Sequence, residues 1–339
     1  MATRRPDRET LHAALALAVR APSVHNSQPW LWRVGDTSVH LYADLTQHLP
    51  ATDPDQRDLL VSCGAALHHL RIAALGLGWE ARIDRLPDPA DPEHLAAVEF
   101  RRAEPATDPR RLSRAIEDRR TDRRRYTSWE VTAAQVSAMI AAGASCGVVV
   151  RDIENSSARA ALEHAFERAA WQHARDFHYG SELARWSGRR AAAQGVPARS
   201  AVASLDAMAR PFANPGLPQA VLRDTEGVER ILVLATGADD RMSRLRAGEA
   251  TSAVLLTATM FGMATCPLTE PLELPDTRAA ISRDVLDDSG FPQMIIRVGW
   301  AATSSQPLLP TPRRPLDEVV TYLRSGESEP VKVNPRRTS

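Results

Sequence analysis

An internal repeat constrains this chain most, because it divides the sequence into two similar parts. Gly64 and Gly78 lie fourteen residues apart, as do Gly248 and Gly262. Between and beyond these glycines, matching residues recur at one constant offset: Ala66 with Ala250, Leu70 with Val254, Ile72 with Leu256, Ala74 with Ala258 and Pro87 with Pro271. A period this long is not that of a solenoid. We therefore predict two copies of one α+β unit, fused in a single chain.

Local patterns give the two copies a similar order of elements. In each, strand-like segments precede a long apolar helix, and further strands follow it. For the first copy we predict helices at 11–19 and 59–77 and strands at 31–34, 38–42, 81–83 and 95–100. For the second we predict helices at 133–142 and 248–262 and strands at 148–150, 228–236, 263–268 and 294–300.

Composition places the chain among soluble globular proteins and excludes several function classes. Of its 339 residues, 43% are hydrophobic and 25% charged, with a formal net charge of zero. This balance gives no sign of a nucleic-acid or membrane partner. The three cysteines form no C-x-x-C pair and the histidines do not converge, so we expect no metal site and a reducing, cytoplasmic location.

A polar turn follows the first predicted helix. Residues 21–30 read Ala-Pro-Ser-Val-His-Asn-Ser-Gln-Pro-Trp, and Pro22 ends the helix because the residue before a proline is disfavoured in the α region. The hydroxyl, imidazole and two amides offer neutral donors and acceptors, as a flat heterocycle with alternating C=O and N–H groups would require. The alternative is a helix cap and an Asx-type turn leading into a strand.

An arginine-rich segment opens the second copy and has no counterpart in the first. Residues 116–126 read Ile-Glu-Asp-Arg-Arg-Thr-Asp-Arg-Arg-Arg-Tyr. Guanidinium and hydroxyl groups bind phosphate through charge-assisted hydrogen bonds. The alternative for such a basic run is a solvated helix face.

These motifs resemble those of a known family. Pro-Ser-x-x-Asn-x-Gln-Pro-Trp resembles a signature of the flavin-dependent nitroreductase superfamily, and the longer form over residues 20–30 is similar to its Acg branch of FMN-binding proteins. The arginine segment resembles the superfamily's Arg-Arg-Ser-x-Arg signature, with Thr121 in place of the serine. Residues 311–317, Thr-Pro-Arg-Arg-Pro-Leu-Asp, resemble the terminal segment, where a basic residue closes over the phosphate.

The resemblance implies a fold and a cofactor. Nitroreductases are normally intertwined homodimers, so it implies an α+β single-chain pseudo-dimer with central, mainly antiparallel sheets flanked by helices. In homodimeric relatives each FMN lies between the arginine segment of one subunit and the polar turn of the other. Because each half of this site occurs once here, we expect one flavin per chain.

The resemblance also assigns residues to the cofactor. From the polar turn these are Ser23, Asn26 and Gln28; from the arginine segment Arg119, Thr121 and Arg123; from residues 266–270 Leu268 and Thr269; and from the C-terminal segment Arg313 and Arg314. His25 and Trp30 are further cofactor candidates. The alternatives are a capped turn histidine for His25, core packing for Trp30, and an ordinary proline-rich surface strap for the C-terminal segment. The family has a glycine near residues 266–270 that this chain lacks.

The function implied is an FMN-binding oxidoreductase that uses NAD(P)H to reduce a nitroaromatic or quinone-like small-molecule acceptor. No catalytic side chain is assigned, because the flavin carries the chemistry. The chain would be a monomer (the pseudo-dimer) or a homodimer. One alternative is a flavin-sequestering, storage or stress protein with a closed lid, and another is a flavin-free interaction module.

We predict boundaries at 1–105 for the first copy, 106–325 for the second and 326–339 for a disordered tail. An insertion at about 181–218 has no counterpart in the first copy and is expected to be either a lid or exposed decoration. Two other motifs are set aside. Residues 76–81 fit G-x-G-x-x-A and residues 143–147 fit G-x-S-x-G, but each joins a helix to a strand, the reverse of the required order.

Overall fold

The computed structural model describes residues 5–103, 107–188, 192–203, 208–219 and 229–323. In the first part of the chain its elements are α1 (Arg8–Ala18), β1 (Trp30–Val34), β2 (Val39–Ala43), α2 (Arg57–Gly76), β3 (Trp79–Arg85), β4 (His94–Arg102) and α3 (Thr107–Asp118). They are followed by α4 (Ala133–Ala144), β5 (Val149–Asp152), α5 (Ser156–His173), α6 (Phe177–Arg185), β6 (Arg230–Thr236), α7 (Arg241–Met260), β7 (Ala264–Leu268), α8 (Pro275–Leu286), β8 (Phe291–Gly299), α9 (Leu316–Val319) and β9 (Val320–Tyr322).

The two sheets repeat one topology. The first has the strand order β3-β4-β2-β1-β9, and the second has the order β7-β8-β6-β5. All pairings between these strands are antiparallel except that of β1 with β9. Helix α2 connects β2 to β3, and α7 connects β6 to β7 in the same position. The predicted α+β fold of two fused copies is therefore confirmed.

The central helices α2 and α7 meet at equivalent positions of the repeat. A Cβ built on Gly64 would overlap the backbone oxygen of Leu245, and one built on Gly248 would overlap that of Val61. Further along, Nδ1 of His68 lies 2.7 Å from Oγ of Ser252, its own counterpart in the repeat. These contacts place a pseudo-twofold axis between the helices, and only glycine allows their backbones to approach so closely.

Helix ends follow local sequence signals. Both central helices stop at a glycine with positive φ, 85° at Gly78 and 79° at Gly262, as expected of a left-handed helix terminus. The start predicted for α7, residue 248, is wrong by seven residues. The helix begins earlier because the side chain of Asp240 accepts a hydrogen bond from the Ser243 amide and caps its first turn.

Helix α2 is buried from both sides. Among the described residues it is the one helix long and apolar enough to span a membrane, but 83% of its apolar window is buried inside the protein. Helices α1, α3 and α7 pack around it. These are the properties of a core helix, so its apolar character does not by itself indicate a membrane.

The second copy carries additions that the first lacks. Helices α5 and α6 follow β5, and residues 192–203 and 208–219 then cross towards the polar turn. Residues 181–185 of the insertion predicted at about 181–218 complete α6, and the part of the chain that the first copy lacks begins earlier, with α5. The predicted tail, 326–339, lies outside the described residues.

The end of the chain returns to the first sheet. Strand β9 pairs in parallel with β1, with Val320 opposite Trp32 and Tyr322 opposite Val34. A strand from the end of the second copy thus completes the first sheet, as in an exchange of strands between two subunits. This exchange carries residues 311–315 across the polar turn.

Candidate functional site

One cleft is lined by both copies. Its empty volume is about 1210 Å³, with the open space at its mouth included. The lining comes from the polar turn, the first turns of α2, the arginine segment, β7, the insertion and the C-terminal segment. Nine of the twelve residues assigned to the cofactor line this cleft: Ser23, His25, Asn26, Arg119, Thr121, Arg123, Leu268, Thr269 and Arg313.

Three assigned residues do not line the cleft. Trp30 is fully buried in the core of the first copy, on β1. Gln28 is fully buried behind the polar turn, where its Oε1 accepts from the Arg314 amide at 2.8 Å. Arg314 itself turns to Asp44, with Nη1 to Oδ2 at 2.8 Å. These three residues hold the turn in place from outside the cleft.

The polar turn has an unusual backbone. His25, Asn26 and Gln28 have positive φ values of 47°, 56° and 55°. Such conformations cost non-glycine residues about 1–3 kcal/mol each in the general case, and they cluster at functional sites. The Gln28 amide donates to Ser23 Oγ at 3.0 Å and so closes the turn.

Asn26 joins three parts of the chain. Its Nδ2 donates to the backbone oxygens of Gly195 in the insertion and Pro312 in the C-terminal segment, at 3.2 and 3.1 Å. Its Oδ1 accepts from Arg313 Nη1 at 3.0 Å. The side chain is therefore occupied by protein partners, although the residue lines the cleft.

Arg119 is a buried cation with few hydrogen-bond partners among the described residues. It is 5% exposed, its Nη1 lies 3.5 Å from Thr121 Oγ1, and its Nε has no hydrogen-bond partner in the described part of the chain. Burial, together with the nearby charges of Arg120 and Arg20, lowers the pKa of Arg119 to about 10. No ion pair with a carboxylate is formed by Arg119, Arg20 or Arg120 among the described residues.

Arg313 is partly buried at the cleft, and its donors are used. Its Nε donates to the Val19 oxygen and Nη2 to the Arg20 oxygen, each at 2.9 Å, at the C-terminal end of α1. Burial and the charge of Arg119 lower the pKa of Arg313 to about 9. The guanidinium therefore fixes the entry to the polar turn while adding positive charge beside Arg119.

His25 presents an unpartnered donor. Its Nε2 lies 3.1 Å from Nη1 of Arg210, a donor, so Nε2 accepts and the proton is assigned to Nδ1. Burial, Arg210 and Arg123 hold the pKa of His25 well below its usual value, and the ring is neutral. Nδ1 has no partner in the described part of the chain.

The insertion contributes cleft residues that sequence reasoning missed. Arg210 donates to Tyr179 Oη at 2.5 Å and forms a bidentate ion pair with Glu273, which follows β7. Phe212 lies edge-on to His25, with ring centroids 5.7 Å apart, and beneath the guanidinium of Arg123 at 4.8 Å. The small-residue content of this segment indicated an insertion, but nothing in the sequence singled out these two side chains.

No metal centre is formed by the residues that the structure describes, since no group of three or more His, Cys, Asp or Glu side chains is placed to hold an ion. The predicted absence of a metal site concerns the whole chain and stays a prediction. The cleft instead combines buried cations, neutral donors and apolar rings. That combination suits an organic ligand with an anionic end.

Relatives with similar sequences carry related names. No protein-family model matches the chain. A Mycobacterium tuberculosis protein with the provisional name NAD(P)H nitroreductase is 46% identical over 327 residues, which cover 95% of this chain and 94% of the relative. A second M. tuberculosis protein, provisionally named NAD(P)H nitroreductase acg, is 37% identical over 92% of this chain and 95% of its own length. The chain belongs to the Acg family of the nitroreductase superfamily.

Solved structures give weaker likenesses to this Acg-family protein. A nitroreductase with bound FMN from Bacteroides fragilis covers 65% of this chain and 98% of its own, with a TM-score of 0.39 and 14% identity. An FMN-dependent nitroreductase from Mycobacterium smegmatis in complex with NADPH gives a TM-score of 0.40 and 16% identity, over 63% of this chain and 99% of its own. The family assignment rests on the sequence relatives, not on these superpositions.

Proposed function

We propose that this Acg-family protein is an NAD(P)H-dependent oxidoreductase that binds one FMN in the cleft and reduces a nitroaromatic or quinone-like small molecule. The names of the relatives support an NAD(P)H-dependent reductase.

The observation that carries the proposal is the buried charge of Arg119, which no carboxylate pairs among the residues that the structure describes. A buried cation without a counter-ion is costly, and a dianionic phosphate would provide the missing charge. Arg119 and Thr121 would hold the phosphate, with Arg20, Arg120 and Arg313 adding to the positive potential. The donors available here fit the phosphate end of FMN.

Another part of the cleft fits a flat ring. Nδ1 of His25 lacks a partner among the described residues, and the apolar lining includes Phe166 and Met294. We propose that His25, Leu268 and Thr269 face the ring, and that Arg123 lies at its pyrimidine edge, where charge develops on reduction. When bound, the flavin would supply the chemistry of hydride acceptance and donation. The chain's residues would bind it, orient it and exclude water.

A single flavin per chain follows from the asymmetry of the two copies. The polar turn occurs only in the first copy and the arginine segment only in the second, and both line one cleft. We place the boundaries of the copies at 1–105 and 106–325, so that the flavin lies across the pseudo-twofold seam. The protein would then be complete as a monomer, while a further homodimer stays compatible with the fold.

A second candidate function is favoured by the contacts of the insertion. Asn26 and Gly195 exchange two hydrogen bonds, at 3.2 and 3.4 Å, and Arg210 ties the insertion to Glu273. An insertion closed in this way could deny nicotinamide access to a bound flavin. The protein would then sequester or store flavin rather than turn over.

Anaerobic titration separates the two functions. The purified protein, with FMN bound, is titrated with NADPH and separately with NADH, and the flavin absorbance is followed. The reductase is supported if the flavin bleaches and 1,4-benzoquinone or nitrobenzene then restores its colour. Flavin that stays bound and oxidised would favour storage. A colourless protein that gains no thermal stability from added FMN would contradict both functions.

The cellular location is proposed from residue chemistry. Cys63, Cys146 and Cys266 are free thiols, and Cys63 and Cys266 are buried. Burial raises the pKa of Cys266 above its usual value, so it is an unreactive thiol. We propose a reducing, cytoplasmic location, which localisation of the tagged full-length chain would test.

A further inference from the structure

A buried carboxyl group in the cleft is not used by the proposed flavin site. Asp58, in the first turn of α2, is 2% exposed and lines the cleft beside Ser62. Neither of its carboxylate oxygens has a hydrogen-bond partner in the part of the chain that the structure describes. Its Oδ1 lies 2.6 Å from Nη2 of Arg57, an ion pair without the geometry of a hydrogen bond.

Charged groups from several elements face Asp58. Arg57 precedes it on α2, Asp53 and Asp55 lie in the loop before that helix, Glu273 follows β7 and Arg210 comes from the insertion. Burial is the largest influence and raises the pKa of Asp58 to about 6, against the attraction of Arg57. Glu273 raises the pKa further, whereas Arg210 lowers it.

A second cleft carboxyl has the opposite character. Glu270 lies 3.6 Å from Nδ1 of His173. Burial alone would raise the pKa of Glu270, but Arg210 and His173 outweigh burial and the pKa is lowered. Of these two cleft carboxyls, Glu270 is ionised at neutral pH, whereas Asp58 keeps its proton up to about pH 6. Enzymes separate acid from base in this way.

We propose that Asp58 is a catalytic residue, the proton donor to the acceptor, because it is a buried carboxyl that faces the cleft with both oxygens free of hydrogen bonds. This proposal rests on the proposed reductase function. Two other polar groups of the cleft are occupied: Arg210 by Glu273, and Thr269 Oγ1 by Glu273 Oε1 at 2.7 Å.

The step balances for a quinone-like acceptor. NAD(P)H would supply, by way of a bound flavin, a hydride that carries two electrons, and the oxyanion that this leaves on the acceptor would take the proton from Asp58. The O–H bond of Asp58 breaks as that of the hydroquinone forms. The carboxylate then lies beside Arg57, whose Nη1 donates to the Gln293 oxygen at 2.6 Å, until solvent returns a proton. Overall, quinone, NAD(P)H and one proton give hydroquinone and NAD(P)⁺.

The kinetic test uses Asp58→Asn and a matched control, Asp55→Asn. Asp55 lies in the adjoining loop but is exposed and paired with Arg244 at 2.7 Å. We expect bound FMN to be reduced by NADPH within about twofold of the wild-type rate in both variants. Reoxidation by 1,4-benzoquinone should slow by about 100-fold in Asp58→Asn, the size of a lost general acid. The Asp58→Asn variant should also lose the fall in reoxidation rate that we expect of the wild type above about pH 6.

A second readout does not depend on activity. Infrared titration of the flavin-free protein, with aspartate labelled by ¹³C, should show a carboxyl band that titrates near pH 6 in the wild type and in Asp55→Asn, and is missing in Asp58→Asn. If Asp58→Asn does not fold, Asp58→Glu replaces it, because that variant keeps the carboxyl and should keep the falling pH limb.

The outcomes distinguish this proposal from the proposed function. If the reoxidation rate of the wild type does not fall above about pH 6, or if it falls in the same way in Asp58→Asn, the assignment of Asp58 is overturned. The proposed reductase function would remain. Wild-type flavin that NADPH and NADH cannot reduce would overturn both. Loss of stability in Asp58→Asn with an unchanged pH profile would mean that Asp58 is a structural partner of Arg57, and would overturn its catalytic role.

Discussion

Arg313 donates a hydrogen bond from Nη1 to Oδ1 of Asn26 at 3.0 Å, which joins the C-terminal segment to the polar turn. The same guanidinium donates to backbone oxygens at the end of α1. A residue assigned by resemblance to the phosphate thus also organises the turn beside it. Arg119 has the complementary position, buried in the same cleft with few partners. The two arginines should therefore respond differently to substitution.

Replacing Arg119 should weaken cofactor binding without harming the fold. In Arg119→Met we expect FMN affinity to fall about 10- to 100-fold, since a hydrogen bond to a charged group contributes about 1.5–3 kcal/mol. The flavin-free variant should be at least as stable as the wild type, because an unpaired buried cation is removed. FMN fluorescence quenching and thermal unfolding measure the two effects. Arg101→Met, on the exposed face of β4, is the control, and equal affinities in both variants would contradict the assignment.

Replacing Arg313 should instead destabilise the protein before any ligand is added. Arg313→Met leaves the oxygens of Val19 and Arg20 and the side chain of Asn26 without their donor. We expect a loss of about 1–3 kcal/mol in the free energy of unfolding of the flavin-free protein. Urea denaturation measures it. A variant as stable as the wild type would show that the guanidinium does not hold the turn.

The contact between the central helices should tolerate no side chain. In Gly64→Ala the new Cβ would overlap a backbone oxygen of α7, so the helices must separate. We expect the free energy of unfolding to fall by about 1–3 kcal/mol or more, the range for overpacked cores. Gly180→Ala in α6, where nothing lies within 4 Å of the new Cβ, should be neutral or more stable by up to about 1 kcal/mol. Similar unfolding midpoints for the two variants would contradict the close approach.

The carboxyl of Asp58 should make stability depend on pH. The pKa of Asp58 is raised to about 6 in the folded protein. Its contribution to the free energy of unfolding is therefore fully present below about pH 4 and is lost as the pH rises through 6. Between pH 4 and pH 7, the wild type should therefore lose about 1–3 kcal/mol relative to Asp58→Asn. Urea denaturation of both proteins across this range measures the difference. A difference independent of pH would mean that Asp58 titrates normally.

The ion pair between Arg210 and Glu273 should hold the insertion against the segment that follows β7. Removing one partner leaves the other buried and unpaired, which typically lowers the free energy of unfolding by about 3–5 kcal/mol. The single variants Arg210→Met and Glu273→Gln should therefore be less stable than the double variant. Limited proteolysis should cleave residues 192–219 faster in the single variants. Additive losses of stability in the double variant would show that the two groups do not interact.

Much of the fold could be predicted because its signals are local. The repeat, the glycines at 78 and 262 and the apolar runs determine the central helices and most of the strands. The start of α7 was missed because an N-cap at Asp240 extends the helix through a polar stretch. Strand β9 could not be predicted, because a segment of three residues forms a strand here only through its pairing with β1.

The site could be predicted only in part. Motif residues marked both walls of the cleft, and the structure brings Asn26 and Arg119 to it as expected. Trp30 and Gln28 share the motif but do not reach the cleft: Trp30 packs into the core from β1, and the Arg314 amide holds Gln28 behind the turn. Asp58 and Arg210 carry no sequence signal, because the burial of Asp58 arises from tertiary packing and Arg210 pairs with Glu273, 63 residues further along the chain.

The most direct test of the account is the number of flavins bound per chain. The purified full-length protein is saturated with FMN, freed of excess ligand, and its flavin absorbance is compared with its protein concentration. One FMN per chain, strongly reduced in Arg119→Met, is the result expected if the polar turn and the arginine segment form a single site across the pseudo-twofold seam. Two flavins per chain, or none, would contradict it.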